Sequence, residues 1–221
     1  MRTLAINKFG SLIFKKKKNI ITSSHPDSAF SEHFRMIQTN LRFMISNRDI
    51  KTYLITSPSK GEGKSTTSVN LAVSIAQQKK KVLLIDANLR EPSLHSFFNC
   101  SNTNGLSDVL TGRLSLGEVI YHTDTWRLDL LPSGIVPSNP LELLSSKMMQ
   151  DLLLKVAQLY DTILIDSNSV LEVSDTKLLA NQCDSVILIL KNNKSTFSKA
   201  IEAKKILEFA KAKIVGVVIN Q

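Results

Sequence analysis

Hydrophobic residues in this chain of 221 residues follow two kinds of pattern. Short, nearly continuous apolar runs recur along it, and VLLID, TILID and SVILIL are the clearest of them. Such runs are typical of strands that are buried on both faces of a parallel sheet. The runs predict strands at 51–56, 81–86, 127–131, 161–166, 184–190 and 213–219.

Between these runs the apolar residues recur at helical spacing. Their intervals predict helices at 64–78, 141–159, 174–181 and 196–210. A further amphipathic helix is predicted at 27–46, where Phe30, Phe34, Ile37 and Leu41 share one face. Strands that alternate with helices in this way favour an α/β fold, with an open, mostly parallel sheet and helices on both of its faces.

The segment after the first predicted strand carries the clearest chemical motif, SPSKGEGKSTT. A glycine-bearing turn between a strand and a helix directs backbone N–H groups inward, where they can hold phosphate. Lys64 would reach the β- and γ-phosphates of a nucleotide, and the Ser65 hydroxyl would bind Mg²⁺. Pro58 stands where the usual motif has its first glycine. The strand before the loop and the helix after it nevertheless support nucleotide binding.

Two acidic residues end other predicted strands, Asp86 after VLLI and Asp166 after TILI. Ligands of open α/β sheets bind beyond the carboxyl ends of the strands, so both carboxylates are expected beside the phosphate loop. Carboxylate oxygens in that place can hold Mg²⁺ directly or through water. A single Asp here is also a common helix N-cap, but two of them with the loop favour a metal site. Asn88 and Arg90 follow Asp86 closely and are candidates for the same site.

Charge and composition limit the remaining possibilities. The formal net charge is +9, and Arg2, Lys8 and Lys15 to Lys18 carry six positive charges within the first 18 residues. We therefore expect a basic N-terminal arm, 1–26, and one globular domain, 27–221. Nucleic acid is not an expected partner, because a basic stripe that binds it lies on a folded face. The arm would meet anionic lipid or an acidic partner, or act as a solvated tail.

Two further features of the composition bear on the compartment. Cys100 and Cys183 lack metal-ligand spacing and are too few for a disulfide framework. No apolar run approaches the ~18 residues of a membrane span. The basic cluster follows the first apolar residues, which is the reverse of a secretory signal. We therefore expect a cytoplasmic protein.

The segments SPSKGEGKST, LLIDANLREP and ILIDSNS resemble the three motifs of the bacterial tyrosine kinases, the BY-kinases of capsule and exopolysaccharide operons. The similarity is to their cytoplasmic CpsD/CapB type. It extends over about residues 28 to 221 and includes EHFRMIQTNLRF, NTNGLSDVLTG and LPSGIVPSNPLELLSS. The resemblance implies a P-loop NTPase fold, which makes 27–221 a P-loop kinase domain. It also implies an ATP-dependent protein tyrosine kinase that regulates polysaccharide synthesis or export.

The resemblance implies roles for individual residues. ATP would be bound by Ser59, Lys60, Gly61, Glu62, Gly63, Lys64, Ser65 and Thr66, with Asn220 at the adenine. Mg²⁺ would be held by Ser65, Asp86, Asn88 and Asp166. Asp86 would also act as the base toward the tyrosine hydroxyl. Lys64 and Arg90 would complete the catalytic set, with Arg90 sensing phosphate or orienting Asp86.

Partners follow from the same resemblance. A membrane activator, which is a polysaccharide co-polymerase subunit, would complete the site with its cytoplasmic tail. The same activator would recruit the chain to the inner face of the membrane, so that membrane association is indirect. Tyrosines of proteins would be the substrates. Glu32 and Arg35 lie where the family builds a ring-shaped homo-oligomer.

The chain departs from the family at positions that matter for activity. Asn88 replaces the second Asp of the metal motif, and its amide oxygen lacks the charge that hard cations favour. Gln38 replaces the second Arg of the ring motif and removes a bidentate donor. The family's C-terminal tyrosine cluster does not follow the last predicted strand in this sequence, so the chain is either truncated or a divergent member, whose transfer is expected to go to other proteins. The tyrosines of this sequence are Tyr53, Tyr121 and Tyr160.

These departures leave two alternatives to an active kinase. The first is an ATP-binding regulatory subunit of the same system, whose chemistry has weakened with Asn88. The second is an ATPase switch of the partitioning type, which shares the fold. Those switches carry a signature lysine five residues before the loop lysine, and Ser59 occupies that position here. The second alternative is therefore the weaker one.

Overall fold

The structure is a computed structural model that describes residues 4–6, 12–14, 20–25, 27–45 and 51–220. Arg2, Lys8 and the lysine run of the predicted basic arm lie outside these residues. The strands are β1 (Leu4–Ile6), β2 (Leu12–Phe14), β3 (Thr52–Thr56), β4 (Val82–Asp86), β5 (Tyr121–His122), β6 (Leu128–Leu131), β7 (Thr162–Asp166), β8 (Ser185–Lys191) and β9 (Ile214–Asn220). The helices are α1 (Ile21–Ser24), α2 (Ala29–Ile45), α3 (Lys64–Gln77), α4 (His95–Phe98), α5 (Leu106–Leu110), α6 (Leu116–Val119), α7 (Pro140–Ser145), α8 (Lys147–Leu159), α9 (Asp175–Gln182) and α10 (Phe197–Phe209). Among the described helices, none is long and apolar enough to cross a membrane.

Seven strands of the described chain form one sheet in the order β5-β6-β4-β7-β3-β8-β9. Neighbouring strands are parallel except for β5, which pairs antiparallel with β6 at one edge. β1 and β2 form a separate antiparallel pair. The prediction of an open, mostly parallel sheet is confirmed. Each strand predicted from an apolar run agrees with an observed strand to within one residue at either end.

Alternate residues of the central strands pack against helices on opposite faces of the sheet. In β4, Leu83 and Ile85 join the core that includes α5 and α8, whereas Val82 and Leu84 join the core that includes α3. Every residue of β4 is buried. Burial on both faces explains why these strands are continuously apolar instead of alternating with polar residues.

The amphipathic helix α2 packs against α3. Phe34 of α2 is buried in the same core as Val69 of α3, and the helix predicted at 27–46 is confirmed to within two residues at either end. Before α2, the N–H and hydroxyl groups of Thr22 donate to the side-chain oxygen of Asn70 at 3.1 and 3.0 Å. The end of the predicted arm is therefore packed on α3 and is not a free tail.

The prediction of one helix at 141–159 is wrong in one respect, because two helices, α7 and α8, meet there at Ser146. The backbone of Ser146 is extended, with φ −68° and ψ 158°, and its hydroxyl accepts from the Met149 N–H at 3.3 Å. This N-cap interaction begins a new helix. The pattern also does not predict α4, α5 and α6, because helices of four or five residues are too short to show a helical period.

Candidate functional site

The phosphate loop joins the end of β3 to the start of α3. Gly61 and Gly63 within it have φ values of 78° and 94°, a region that strains any residue with a Cβ. The loop leads directly into Lys64, the first residue of a 14-residue helix, and Thr66 follows in the first turn. The free N–H groups of this helix start therefore face the loop, which is the backbone arrangement that binds phosphate.

Lys64 is the buried cation of the loop. Its ammonium group donates to the hydroxyl of Ser169, beyond the end of β7, at 3.1 Å. Burial lowers the pKa of Lys64, and the charge of Asp166 partly opposes this effect. Because a charge that is shielded from water interacts strongly with a nearby anion, Lys64 is well suited to bind phosphate.

Asp166 ends β7 beside Asp86 at the end of β4, because the two residues are partners in the parallel register. The Asp166 side chain is fully buried and accepts from the Ser65 hydroxyl at 2.6 Å and from the Ser68 hydroxyl at 2.9 Å. Ser65 and Asp166, both predicted metal ligands, are thus in direct contact. Ser68 was not predicted, although its position three residues after Ser65 on one helix would have indicated it.

Asp86 is also fully buried. Its carboxylate accepts from the backbone N–H groups of Ser93 at 3.0 Å, Leu94 at 2.9 Å and Asn88 at 3.3 Å. Burial, followed by the charge of Asp166, raises the pKa of Asp86 to about 7 despite these hydrogen bonds. The proton of Asp86 is therefore gained or lost near neutral pH.

The oxygen atoms of Ser65, Asp86 and Asp166 fit a magnesium ion. The described residues contain no cluster of three or more His, Cys, Asp or Glu side chains that would form a closed metal cage. Mg²⁺ is commonly held by one or two carboxylates together with substrate phosphates and water. A divalent cation would also relieve the repulsion that raises the pKa of Asp86.

Asn88 and Arg90, expected among the metal and catalytic residues, have other partners. The side-chain oxygen of Asn88 accepts from the Glu91 N–H at 3.0 Å. Arg90 forms a bidentate ion pair with Asp175 at 2.7 and 3.1 Å, and this hydrogen bonding raises the pKa of Arg90. In the described part of the chain, Asp86 is held by backbone amides and Arg90 does not contact it.

The tip of the loop is tied to neighbouring loops. The Lys60 N–H donates to Glu172 at 2.7 Å, and the Lys60 ammonium donates to Glu91 at 2.6 Å. The Ser59 hydroxyl accepts from the ammonium of Lys199 at 3.3 Å. These contacts fix the loop between the segments that follow β4, β7 and β8.

Asn220 lies at the end of β9 and reaches the loop. Its side-chain nitrogen donates to the backbone oxygen of Glu62 at 2.7 Å. Space for this contact exists only because Gly63 has no Cβ, since a Cβ there would overlap the Asn220 amide. Asn220 thus contacts the phosphate loop, and its expected contact with adenine stays a prediction.

Glu62 is the least expected member of the loop. Its side chain is fully buried, and neither carboxylate oxygen has a hydrogen-bond partner among the described residues. A buried carboxylate that accepts no hydrogen bond is costly, and the attraction between Glu62 and the charge of Lys64 offsets part of this cost. No local sequence pattern distinguishes this side chain from an exposed glutamate.

Similarities to known proteins agree with this geometry. A profile of the AAA domain matches residues 51–210. The chain is 41% identical to the tyrosine-protein kinase YwqD of Bacillus subtilis over 206 residues, which cover 93% of this chain and 87% of YwqD. It is 37% identical to the tyrosine-protein kinase CpsD of Streptococcus agalactiae over 191 residues, which cover 86% of this chain and 82% of CpsD.

Two solved structures are also similar over most of the chain. The chimerical protein CapA2B2 superposes with a TM-score of 0.88 at 33% identity, covering 91% of this chain and 88% of that one. The kinase domain of the Escherichia coli tyrosine kinase ETK superposes with a TM-score of 0.89 at 31% identity, covering 94% and 82%. Because these similarities cover at least 82% of every chain compared, the chain belongs to the bacterial tyrosine-protein kinases, and its resemblance to their CpsD/CapB type is confirmed.

Proposed function

We propose that this chain is an ATP-dependent protein tyrosine kinase that regulates the synthesis or export of a capsular polysaccharide or exopolysaccharide. The observation that carries the proposal is the contact of Ser65 with Asp166, which joins the phosphate loop to the paired carboxylates of β7 and β4. Phosphoryl transfer requires a phosphate cradle and metal-binding oxygens in one place. Family membership supports tyrosine as the acceptor.

The chain's own groups would bind and orient ATP. Backbone N–H groups of the loop and of the first turn of α3 would donate to the phosphate oxygens. Lys64 would neutralise the β- and γ-phosphates. Bound Mg²⁺ would supply positive charge between those phosphates, and Ser65, Asp86 and Asp166 would hold it.

The reaction would need little covalent chemistry from the protein. The tyrosine oxygen bonds to the γ-phosphorus while the bond from that phosphorus to the ADP oxygen breaks, and the hydroxyl proton passes to Asp86. Burial and then the charge of Asp166 raise the pKa of Asp86 to about 7 in the metal-free protein. Bound Mg²⁺ would lower this pKa, so that Asp86 is ionised and can accept the proton. Lys64 would stabilise the charge on the transferred group.

We propose that the acceptor tyrosine belongs to another polypeptide. Tyr53 and Tyr160 are buried, and the Tyr160 hydroxyl donates to Asp129 at 2.8 Å. Burial raises the pKa of Tyr53 to about 12, so its hydroxyl is a poor nucleophile. Neither hydroxyl reaches an active site without local unfolding. The remaining tyrosine of the sequence, Tyr121, is half-buried on the edge strand β5.

We also propose a membrane activator and a homo-oligomer as partners. Family membership supports the activator. The oligomer would form through α2, where Glu32 and Arg35 pair with each other at 2.7 Å on the outer surface. The neutral Gln38 side chain adds no charge to that surface, and it accepts from the hydroxyl of Ser74 of α3 at 3.4 Å. Sedimentation should show less oligomer for Arg35→Ala than for Arg42→Ala, a matched change in the last turn of α2.

Phosphate transfer from ATP to a tyrosine-containing protein tests the kinase proposal. The assay contains Mg²⁺ and the cytoplasmic tail of the activator, and we expect tyrosine phosphorylation that is lost in Lys64→Met. ATP hydrolysis without tyrosine phosphorylation would contradict the proposal and favour the ATPase switch. ATP binding without ATP hydrolysis or tyrosine phosphorylation would favour the weakened regulatory subunit as the function of this chain. The amide of Asn88 in the metal motif supports that candidate function.

A further inference from the structure

The connection between β8 and α10 brings Lys194 onto the phosphate loop. A Cβ built on Gly61 would lie 2.5 Å from the ammonium nitrogen of Lys194. The ammonium group therefore occupies space beside the loop backbone that only a glycine at position 61 leaves open. No local sequence pattern marks this lysine, because it lies more than a hundred residues from the loop along the chain.

Hydrogen bonds fix the segment that carries Lys194. The N–H groups of Lys194 and Ser195 donate to the Lys191 carbonyl oxygen at 3.1 and 2.8 Å, and the Lys191 N–H donates to the Ser195 hydroxyl at 2.7 Å. In the first turn of α10, Lys199 donates to Ser59 at 3.3 Å. The segment thus contacts the loop at two points, so the position of Lys194 follows from the fold.

The charge of Lys194 has no acidic partner in the part of the chain that the structure describes. The ion pairs found there involve other cations, and Lys60 on the same loop is paired with Glu91. Lys194 is also exposed, so a ligand can reach it. A free cation beside a cradle of backbone N–H groups adds to the potential that attracts phosphate.

The strand order indicates which phosphate lies near Lys194. In the order β4-β7-β3-β8-β9, the carboxylates of Asp86 and Asp166 lie on one side of β3, the strand that leads into the loop. Lys194, after β8, and Asn220, on β9, lie on the other side. Asp86 and Asp166 would hold the Mg²⁺ that supplies positive charge to the transferred group, so the carboxylate side would face the γ end of the nucleotide. The side of Lys194 then holds the α end.

We propose that Lys194 is a nucleotide-binding residue whose ammonium group contacts the α- and β-phosphates of ADP and ATP alike. This inference rests on the proposed nucleotide-dependent function and adds a second cation, opposite Lys64, to the phosphate site. The contact is made by both nucleotides, so Lys194 contributes to holding the nucleotide before and after transfer and does not discriminate between ATP and ADP.

Calorimetric titration of the full chain tests the proposal, with Mg²⁺ present and with ADP and a non-hydrolysable ATP analogue as probes. Lys194→Met should lower the affinity for both nucleotides by about tenfold, the low end for a charge-assisted contact at an exposed site. Lys194→Arg should restore most of the affinity, because it keeps the charge. Lys204→Met, on the exposed face of α10 where Lys204 pairs with Glu208, is the matched control and should bind as the parent does.

The outcomes separate this inference from the function on which it rests. A parent chain that binds neither nucleotide would refute the proposed function and the role of Lys194 with it. A parent that binds both, with equal affinity in Lys194→Met, would overturn the role of Lys194 alone. Loss of affinity for the ATP analogue but not for ADP would also overturn it, because the contact would then be to the γ-phosphate. Unchanged melting temperature in Lys194→Met would show that the loss of binding is not a loss of folding.

Discussion

The buried carboxyl group of Asp86 should make the stability of the metal-free protein depend on pH. Burial and then the charge of Asp166 raise the pKa of Asp86 to about 7 in the folded chain. In the unfolded chain an Asp has its ordinary pKa of about 4. The unfolded chain therefore loses this proton at lower pH, and the free energy of unfolding falls as the pH rises. The stabilising contribution is complete below about pH 4 and is lost as the pH rises through about 7.

The size of the effect follows from these two pKa values. Linkage for one such group gives a loss of roughly 2–3 kcal/mol in the free energy of unfolding between pH 5 and pH 8, most of it below about pH 7. Domains are commonly stable by only about 5–15 kcal/mol, so a loss of this size is readily measured. Bound Mg²⁺ should reduce the loss, because a cation favours the ionised carboxylate.

Urea unfolding of the parent and of Asp86→Asn, in EDTA at pH 5 and pH 8, measures the effect. The variant cannot ionise at this position. The free energy of unfolding of Asp86→Asn minus that of the parent should therefore be roughly 2–3 kcal/mol more favourable to the variant at pH 8 than at pH 5. All other titrating groups are shared by both chains, so their contributions cancel in this difference. Asp151→Asn, on the exposed face of α8, is the matched control and should follow the parent. Equal pH dependence in the parent and in Asp86→Asn would refute the reasoning.

Three other substitutions test the remaining parts of the site. Lys64→Met should lower the affinity for an ATP analogue with Mg²⁺ on the order of tenfold to a hundredfold, since hydrogen bonds to charged groups contribute roughly 1.5–3 kcal/mol; unchanged affinity in calorimetric titration would remove Lys64 from the site. Asn88→Asp should lower the Mg²⁺ concentration needed for half-maximal activity, because a carboxylate there adds negative charge two residues from Asp86 and can still accept from the Glu91 N–H. The same Mg²⁺ dependence as in the parent would mean that an added carboxylate at position 88 does not reach the metal. Glu62→Gln should raise the melting temperature of the nucleotide-free protein by a few degrees, because it removes a buried charge that accepts no hydrogen bond and is compensated only by the nearby charge of Lys64; a lower melting temperature would show that the attraction between Glu62 and Lys64 outweighs the cost of burial.

The sequence alone predicts the features that depend on local pattern. Apolar runs identify the central strands to within one residue, because strands buried on both faces must be apolar throughout. The glycines and Lys64 of the loop stand at fixed spacing between a strand and a helix, so the phosphate site is visible in the sequence. The sequence predicts that Asp86 and Asp166 lie close together, because parallel strands bring their carboxyl ends to one edge of the sheet, and the two residues are partners in the observed register.

Only the tertiary structure decides which side chains meet across long stretches of sequence. Arg90 follows the metal motif but pairs with Asp175, 85 residues further on. Lys194 reaches Gly61 because β8 lies beside β3 in the sheet, and strand order is not written in any local pattern. The burial of Glu62 is likewise a result of the strands, helices and loops packed around it. Periodicity reports which face of an element is buried, whereas partners are chosen by the order in which the strands and helices pack.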